Sequence, residues 1–493
     1  MRDWVVTCVA AASLGPVWGC GPEFELDALP ERPVDAARIE GIWEGTIEPI
    51  DLRIVIHVSN AGDQLTGTLD SPDQSAFGIA IDDVRFDGRR FALAIENLGA
   101  TYRGQLGAAG ALAGEWDQGV ALDLELVKVD APTPRVRAQT PRPPFLYREV
   151  EVVFGGGAPG VELAGTLTIP PEETFPTLVL VTGSGPQDRN ETLAGHEPFR
   201  VIADFLGRHG IATLRYDDRG FGQSTGDFGR ATTRDFVSDA AAAVQFLQGR
   251  DDVDPTRIGV IGHSEGGWVA AALAARADDQ GGAACSVMLA GPAVRGDAVH
   301  QLQTRLILEA SPIPFFDSTI EQVGALHAAL YEVAREPGTP EERRAKGIER
   351  YERGIAEFNF IARRLLRLDP ENPALVDVIL SPWFSSFIDY DPRPDLERAR
   401  VPVLALFGSL DLQVPAQQSV PALERINGAM RSPRFEIQTF DGLNHLFQTA
   451  TTGSPDEYGR IEETISPAVL ERLARFTSER CVARASRTGA PAG

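Results

Sequence analysis

Two serines in this chain stand in the pattern Gly-x-Ser-x-Gly: Gly222-Gln223-Ser224-Thr225-Gly226 and Gly262-His263-Ser264-Glu265-Gly266. The pattern suits a hydroxyl that attacks a carbonyl, but on its own it does not choose between them. A serine lifted above a sheet edge needs a strand running straight into it and a helix starting straight after it. Small flanking residues let the backbone turn that sharply without a Cβ clash. RIGVIG runs into Ser264, and the Ala-rich stretch EGGWVAAALAARA follows it. Ser224 is separated from the apolar run IATLRY by Asp217 to Phe221, and more glycine follows. Ser264 is therefore the expected nucleophile and Ser224 a loop residue.

A serine hydroxyl needs a base, and the base needs a carboxylate to orient it. On a strand–turn–helix scaffold of this kind the chain order is Ser, acid, His. Of the seven histidines, only His445 follows the last strand-like run, FEIQTF. Asp411 follows VPVLALFG by Ser409 and Leu410 and is the expected acid. Asp441 is its competitor, but the Asp441-Gly442 pair reads as a turn. An oxyanion formed during attack needs two backbone N–H donors. Topology assigns one to Glu265 and the other to Ser184 or Gly185, in the glycine-rich loop after TLVLVTG, with Ser184 taken as the donor.

The elements that must position these groups are read from periodicity. After residue 147, apolar strand-like runs alternate with helical stretches: TLVLVTG, IATLRY, RIGVIG, CSVMLAG, VPVLALFG and FEIQTF, then a last amphipathic helix over about 467–480. Strands that are apolar throughout and separated by helices predict a mostly parallel sheet covered on both faces. Ligands of such sheets bind at the carboxyl ends of the strands. Residues 296–396 interrupt the alternation with helical, aromatic-rich sequence and predict a cap over that end. Residues 38–130 differ: short alternating segments separated by Gly, Asp and Asn turns predict a small all-β unit. It holds no catalytic grouping, and His57 within it reads as structural. The proline-rich stretch 131–146 predicts a linker. The part that carries these groups is expected over 147–485, with a tail at 486–493.

Composition bounds the partners. The 493 residues are 43% hydrophobic and carry a net charge of −24, which excludes affinity built on nucleic-acid phosphates and argues against electrostatic docking on anionic lipid. The four cysteines, Cys8, Cys20, Cys285 and Cys481, are too widely spaced for a disulfide scaffold or a paired zinc site. Cys285, in an apolar run, reads as a buried small residue. The apolar stretch Trp4 to Trp18 is short for a membrane span and reads as a secretory signal over 1–19. Its Gly19-Cys20 ending resembles a bacterial lipoprotein cleavage box, which implies lipidation of Cys20 and a tether over 20–37. Plain secretion to the periplasm or the medium is the other reading.

Taken together, VTGSGPQDRNE, LRYDDRGFGQSTG, GHSEGG, PWFSSFIDYDP, VPVLALFGSLDLQVP and GLNHLFQ resemble a bacterial α/β-hydrolase serine esterase family with a helical cap. The resemblance spans most of 147–485. It implies an α/β fold preceded by a small all-β domain. It also implies hydrolysis of carboxylic esters with short acyl chains, no cofactor and no metal. The family's nucleophile, acid and base fall on Ser264, Asp411 and His445. The partner implied is a small-molecule ester. Two rival readings are a serine peptidase of the same fold, and an anchored binding protein whose hydrolytic domain is inert.

Overall fold

The computed structural model describes residues 26–481, apart from 49–51, 63, 73–75, 134–136, 312–314 and 433. The expected signal segment, Cys8, Cys20 and the tail at 486–493 lie outside the described residues. The chain divides into two compact units: the first runs to Arg137 and includes Leu193–His196, and the second holds Ala138–Thr192 and the chain from Glu197 on.

The first unit is antiparallel β throughout. Its strands are β1 (Gly41–Ile47), β2 (Leu52–Asn60), β3 (Leu65–Ser71), β4 (Ala76–Ile81), β5 (Asp83–Phe86), β6 (Arg90–Ile95), β7 (Ala100–Leu106), β8 (Leu112–Asp117) and β9 (Ala121–Val129). They lie in the order β4-β3-β2-β1-β9-β8-β7-β6-β5. Alternation puts Trp43, Ile56, Phe86, Phe91, Leu93, Tyr102, Leu112 and Leu126 into one core. Two polar tips in that core are satisfied: Trp43 Nε1 donates to the Ile39 carbonyl and Tyr102 Oη to that of Leu112. His57 Nε2 lies 2.8 Å from an Asp70 carboxylate oxygen across the β2–β3 pair, a structural contact.

The second unit is built on an eight-stranded sheet. Its strands are β10 (Arg148–Gly155), β11 (Glu162–Ile169), β12 (Thr177–Val181), β13 (Ala212–Tyr216), β14 (Ile258–His263), β15 (Ser286–Leu289), β16 (Val403–Gly408) and β17 (Phe435–Phe440). The order is β10-β11-β13-β12-β14-β15-β16-β17. From β13 to β17 every neighbouring pair is parallel. β12, β13, β14, β15 and β16 are buried along their whole length, which is why they read as continuous apolar runs. β10 and β11 add an antiparallel hairpin at one edge, outside the strand–helix alternation. Its signal in the sequence is a pair of strand-like segments flanking the turn GGGAPG.

The helices α1 (Pro198–Arg208), α2 (Thr233–Gln248), α3 (Glu265–Ala275), α11 (Ala416–Ala429) and α12 (Pro467–Arg480) connect or follow the strands. Between β15 and β16 the chain makes a helical excursion: α4 (Gly296–Glu309), α5 (Asp317–Arg335), α6 (Pro340–Ile355), α7 (Phe360–Leu365), α8 (Ala374–Ile379), α9 (Pro382–Asp389) and α10 (Arg393–Glu397). Tyr331, Phe358, Trp383, Phe384, Phe387 and Tyr390 pack into one core with Trp268 of α3, which fixes this excursion to the sheet unit. No helix among the described residues is long and apolar enough to cross a membrane.

One sequence expectation needs revision. Cys285 is fully buried, but it is no isolated small residue: it forms a disulfide with Cys481, and the Cα atoms are 5.1 Å apart. The bond ties the start of β15 to the end of α12 across 196 residues of chain. The second part of the proline-rich stretch is bonded to the second unit. Gln139 donates from Nε2 to the Ile465 carbonyl and accepts the Ile465 N–H, and the Ala138 N–H donates to Glu462.

Candidate active site

Ser264 sits where β14 ends and α3 begins, with φ 53° and ψ −119°. Positive φ is costly for a residue with a Cβ, and such strain clusters at functional sites. The flanking glycines make the turn possible. A Cβ on Gly262 would lie 1.8 Å from the Gly266 carbonyl oxygen, and one on Gly266 would lie 2.4 Å from that of Val181. The Ser264 N–H donates to the Leu289 carbonyl, and the Gly267 N–H donates to the Ser264 carbonyl. The backbone is thus fixed while the side chain stays partly exposed between buried neighbours.

Asp411 lies in the loop after β16 and His445 in the loop after β17. Their side chains meet: His445 Nδ1 is 2.9 Å from Asp411 Oδ2, and both residues are buried. The other oxygen, Oδ1, accepts the N–H groups of Gln413 and Val414 at 2.8 Å each. A carboxylate at that spot makes His445 carry its proton on Nδ1 and leaves Nε2 with a lone pair. The two loops are also joined by the Leu410 N–H, which donates to the Leu443 carbonyl. Asn444 braces the His445 turn, with its Oδ1 accepting the N–H groups of Leu446 and Gln448.

The Ser264 hydroxyl makes no hydrogen bond to the His445 ring among the described residues. Such bonds are often long before substrate binds. The residue before Ser264, His263, is bonded to the His445 loop. Its Nε2 is 3.1 Å from the His445 carbonyl oxygen, and the two rings are 4.7 Å apart. Asp441, the competing acid, accepts from Ser409 Oγ on the exposed side of its turn. Ser224 is engaged by backbone: it accepts the Ala164 N–H and donates to the Asp217 carbonyl.

The glycine-rich loop after β12 reaches Ser264 closely. A Cβ on Gly183 would lie 3.2 Å from the Ser264 Cβ. Among the described residues no hydrogen bond engages the N–H of Ser184 or of Glu265, so both remain available as donors. The sequence LRYDDRGFGQSTG, which holds Ser224, is the brace of this loop. Asp217 takes the N–H and guanidinium of Arg189, and Asp218 accepts from Thr182 Oγ1 and the Gln187 N–H. Burial pushes the Asp218 carboxyl well above its ordinary range.

Glu265 plays a part that sequence reasoning assigns only to its backbone. Its carboxyl group is buried without a cation and accepts three hydrogen bonds: from Ser184 Oγ at 2.9 Å, Thr233 Oγ1 at 2.7 Å and Trp383 Nε1 at 3.1 Å. Burial raises its pKa above the usual carboxyl value, and the three donors offset part of that rise. Through it the loop after β12, the start of α2 and cap helix α9 share one anchor. The side chains of Glu265, Trp383, Asn444 and Glu191 are absent from the sequence-based site, although each stands within a stretch that carries the family resemblance.

A mostly parallel sheet, a serine held at positive φ between strand and helix, and an Asp–His pair in the last two strand-end loops are the features of the α/β-hydrolase fold, and this chain has that fold. The family described as "Serine aminopeptidase, S33" matches residues 197–335. The chain is similar to the esterase EstD of Thermotoga maritima, with 26% identity over 335 residues, 68% of each chain. It is also similar to an uncharacterized protein of Mycobacterium tuberculosis, with 32% identity over 148 residues, 29% of this chain and 48% of that one. Among solved structures, an esterase of Pyrococcus furiosus aligns over 68% of this chain and 94% of its own, at 15% identity and TM-score 0.40.

Proposed function

We propose that the protein is a serine carboxylic ester hydrolase working through an acyl-serine intermediate, with short-chain acyl esters as substrates. The observation that carries this reading is the buried Asp411–His445 pair, whose geometry leaves Nε2 of the ring as the proton acceptor. Ser264 attacks the ester carbonyl as His445 takes its proton, and the N–H groups of Glu265 and Ser184 hold the oxyanion. His445 then returns the proton to the departing alcohol and activates the water that frees the acid. No residue in this scheme calls for a cofactor or metal.

The matched family is described by an aminopeptidase, so an amide-cleaving reading stands beside this one. An aminopeptidase must bind a free α-ammonium group, which needs an unoccupied carboxylate beside the nucleophile. Glu265, the carboxyl group next in the chain, already accepts three donors, which supports the ester reading. The test is a panel of nitrophenyl esters of graded acyl length assayed beside amino-acyl anilides. Acetate and butyrate esters turning over with amino-acyl anilides inert is the expected result. Faster anilide cleavage would overturn it. An inert protein that also fails to react with a fluorophosphonate would support the binding-protein reading instead.

We also propose that the chain is exported and lipidated at Cys20. The Cys285–Cys481 disulfide supports export, because such bonds persist in oxidising compartments. Metabolic labelling with palmitate is expected to mark the wild type and not Cys20→Ala. Equal absence of label in both would leave plain secretion.

A further inference from the structure

The pair His263–Glu191 is buried against the site and has no step in the scheme above. His263 is 7% exposed and Glu191 3%. His263 Nδ1 lies 2.9 Å from Glu191 Oε1, and Nε2 lies 3.1 Å from the His445 carbonyl oxygen. A carbonyl oxygen only accepts, so Nε2 carries a proton. Glu191 Oε1 also accepts the Gly183 N–H at 2.9 Å. An oxygen that receives one N–H and faces a ring nitrogen is best matched by a second N–H. The imidazolium–carboxylate form therefore satisfies every donor and acceptor in the cluster. Glu191 holds its place at φ 55°, in the left-handed region that residues with a Cβ avoid, with its own N–H donating to the Asp188 carbonyl.

Three chain segments converge here. His263 ends the strand that carries Ser264, its Nε2–H bond grips the loop that carries His445, and Glu191 holds the glycine-rich loop at Gly183. We propose that the His263–Glu191 ion pair is a positioning device that sets the oxyanion loop and the base loop against the nucleophile, and that its loss of a proton sets the alkaline limit of turnover. This rests on the ester-hydrolase reading and adds residues to it.

The charged and titratable groups facing His263 are Glu191, the His445 ring and, beyond that ring, Asp411. Burial works against the imidazolium. The Glu191 charge and hydrogen bond, the His445 carbonyl and Asp411 outweigh it and hold the His263 pKa above its ordinary value. As pH rises through that raised pKa, Nδ1–H is lost and the link to Glu191 and Gly183 opens. Turnover should therefore fall on the alkaline side.

The variant Glu191→Gln keeps the shape of the side chain and removes its charge. Its kcat on nitrophenyl butyrate should fall about 10- to 100-fold, the scale of a small misplacement of reacting groups. Its alkaline limb should move down by about one to three pH units, because the imidazolium loses its carboxylate. Glu191→Asp should restore part of that limb. A limb at the wild-type position in Glu191→Gln, with only amplitude or thermal stability changed, would overturn the proposal. A second readout does not depend on turnover. In ¹⁵N-histidine spectra of the intact protein, the signal missing from His263→Asn should show both ring nitrogens protonated at pH 7 in the wild type. A neutral ring there would overturn the ion pair. A protonated ring in a protein that cleaves no ester would preserve the pair and defeat the hydrolytic reading instead.

Discussion

Ser264→Ala is expected to fold as the wild type does and to lose ester turnover by on the order of 10⁴- to 10⁶-fold. Removing the hydroxyl leaves the strained turn in place, because its geometry depends on Gly262 and Gly266 and on backbone bonds to Leu289 and Gly267. The oxyanion donors also remain, since they are backbone N–H groups. What goes is the atom that forms the acyl bond, so KM for a short ester should change far less than kcat. The sharper comparison is with Ser224→Ala. That hydroxyl joins the Ala164 N–H to the Asp217 carbonyl under the loop that carries Arg189. Its loss should cost about 1–3 kcal/mol of stability, the scale of buried backbone groups left without partners. Labelling by a fluorophosphonate should persist in Ser224→Ala and vanish in Ser264→Ala. The reverse pattern would move the chemistry to the other serine and end the assignment.

Sequence alone gives a strand–turn–helix at Ser264 and none at Ser224, because such a turn is a local event. Its strand, its glycines and its Ala-rich helix are contiguous, and their periodicities differ sharply. The order of the elements is legible on the same ground. It puts Asp411 and His445 in successive strand-end loops, where their side chains do meet. Contacts between distant segments leave no such trace. Nothing in the periodicity of VTGSGPQDRNE says that Glu191 faces a histidine 72 residues later in the chain. Nothing in PWFSSFIDYDP says that Trp383 donates to the carboxyl group of Glu265, beside Ser264. The Cys285–Cys481 bond is hidden because an apolar run around one cysteine reads the same whether or not a partner arrives from α12. The β10–β11 hairpin escapes for a different reason. The parallel alternation becomes regular only at TLVLVTG, and the antiparallel edge precedes it.

The glycine pattern around Ser224 has a structural part of its own. Gly220 and Gly222 have φ 72° and 54°, and a Cβ on Gly222 would lie 2.6 Å from an Asp217 carboxylate oxygen. These glycines let the chain fold tightly around Asp217 and Asp218, which in turn hold Arg189, Thr182 and Gln187. The pattern here serves backbone approach to a carboxylate, with the serine closing the loop.

Asp411→Asn is expected to lower kcat by about 10⁴-fold while the protein stays folded. The two carboxylate oxygens have different partners, and that difference fixes how an amide must sit. Oδ1 accepts two backbone N–H groups, from Gln413 and Val414, so an amide NH₂ cannot replace it there without facing two donors. The asparagine must therefore keep its oxygen at that position and present its NH₂ to His445 Nδ1. An NH₂ donates, so Nδ1 must accept, and the ring proton moves to Nε2. A ring protonated on Nε2 cannot take the proton of Ser264, and the base is lost through its tautomer with the imidazole still in place. Asp441→Asn tests the competing assignment. Asp441 accepts from Ser409 Oγ on an exposed turn, whereas His445 Nδ1 is already engaged by Asp411, so turnover should stay near the wild-type level. If Asp441→Asn lost activity and Asp411→Asn did not, the buried pair would be structural and the base would be oriented from elsewhere.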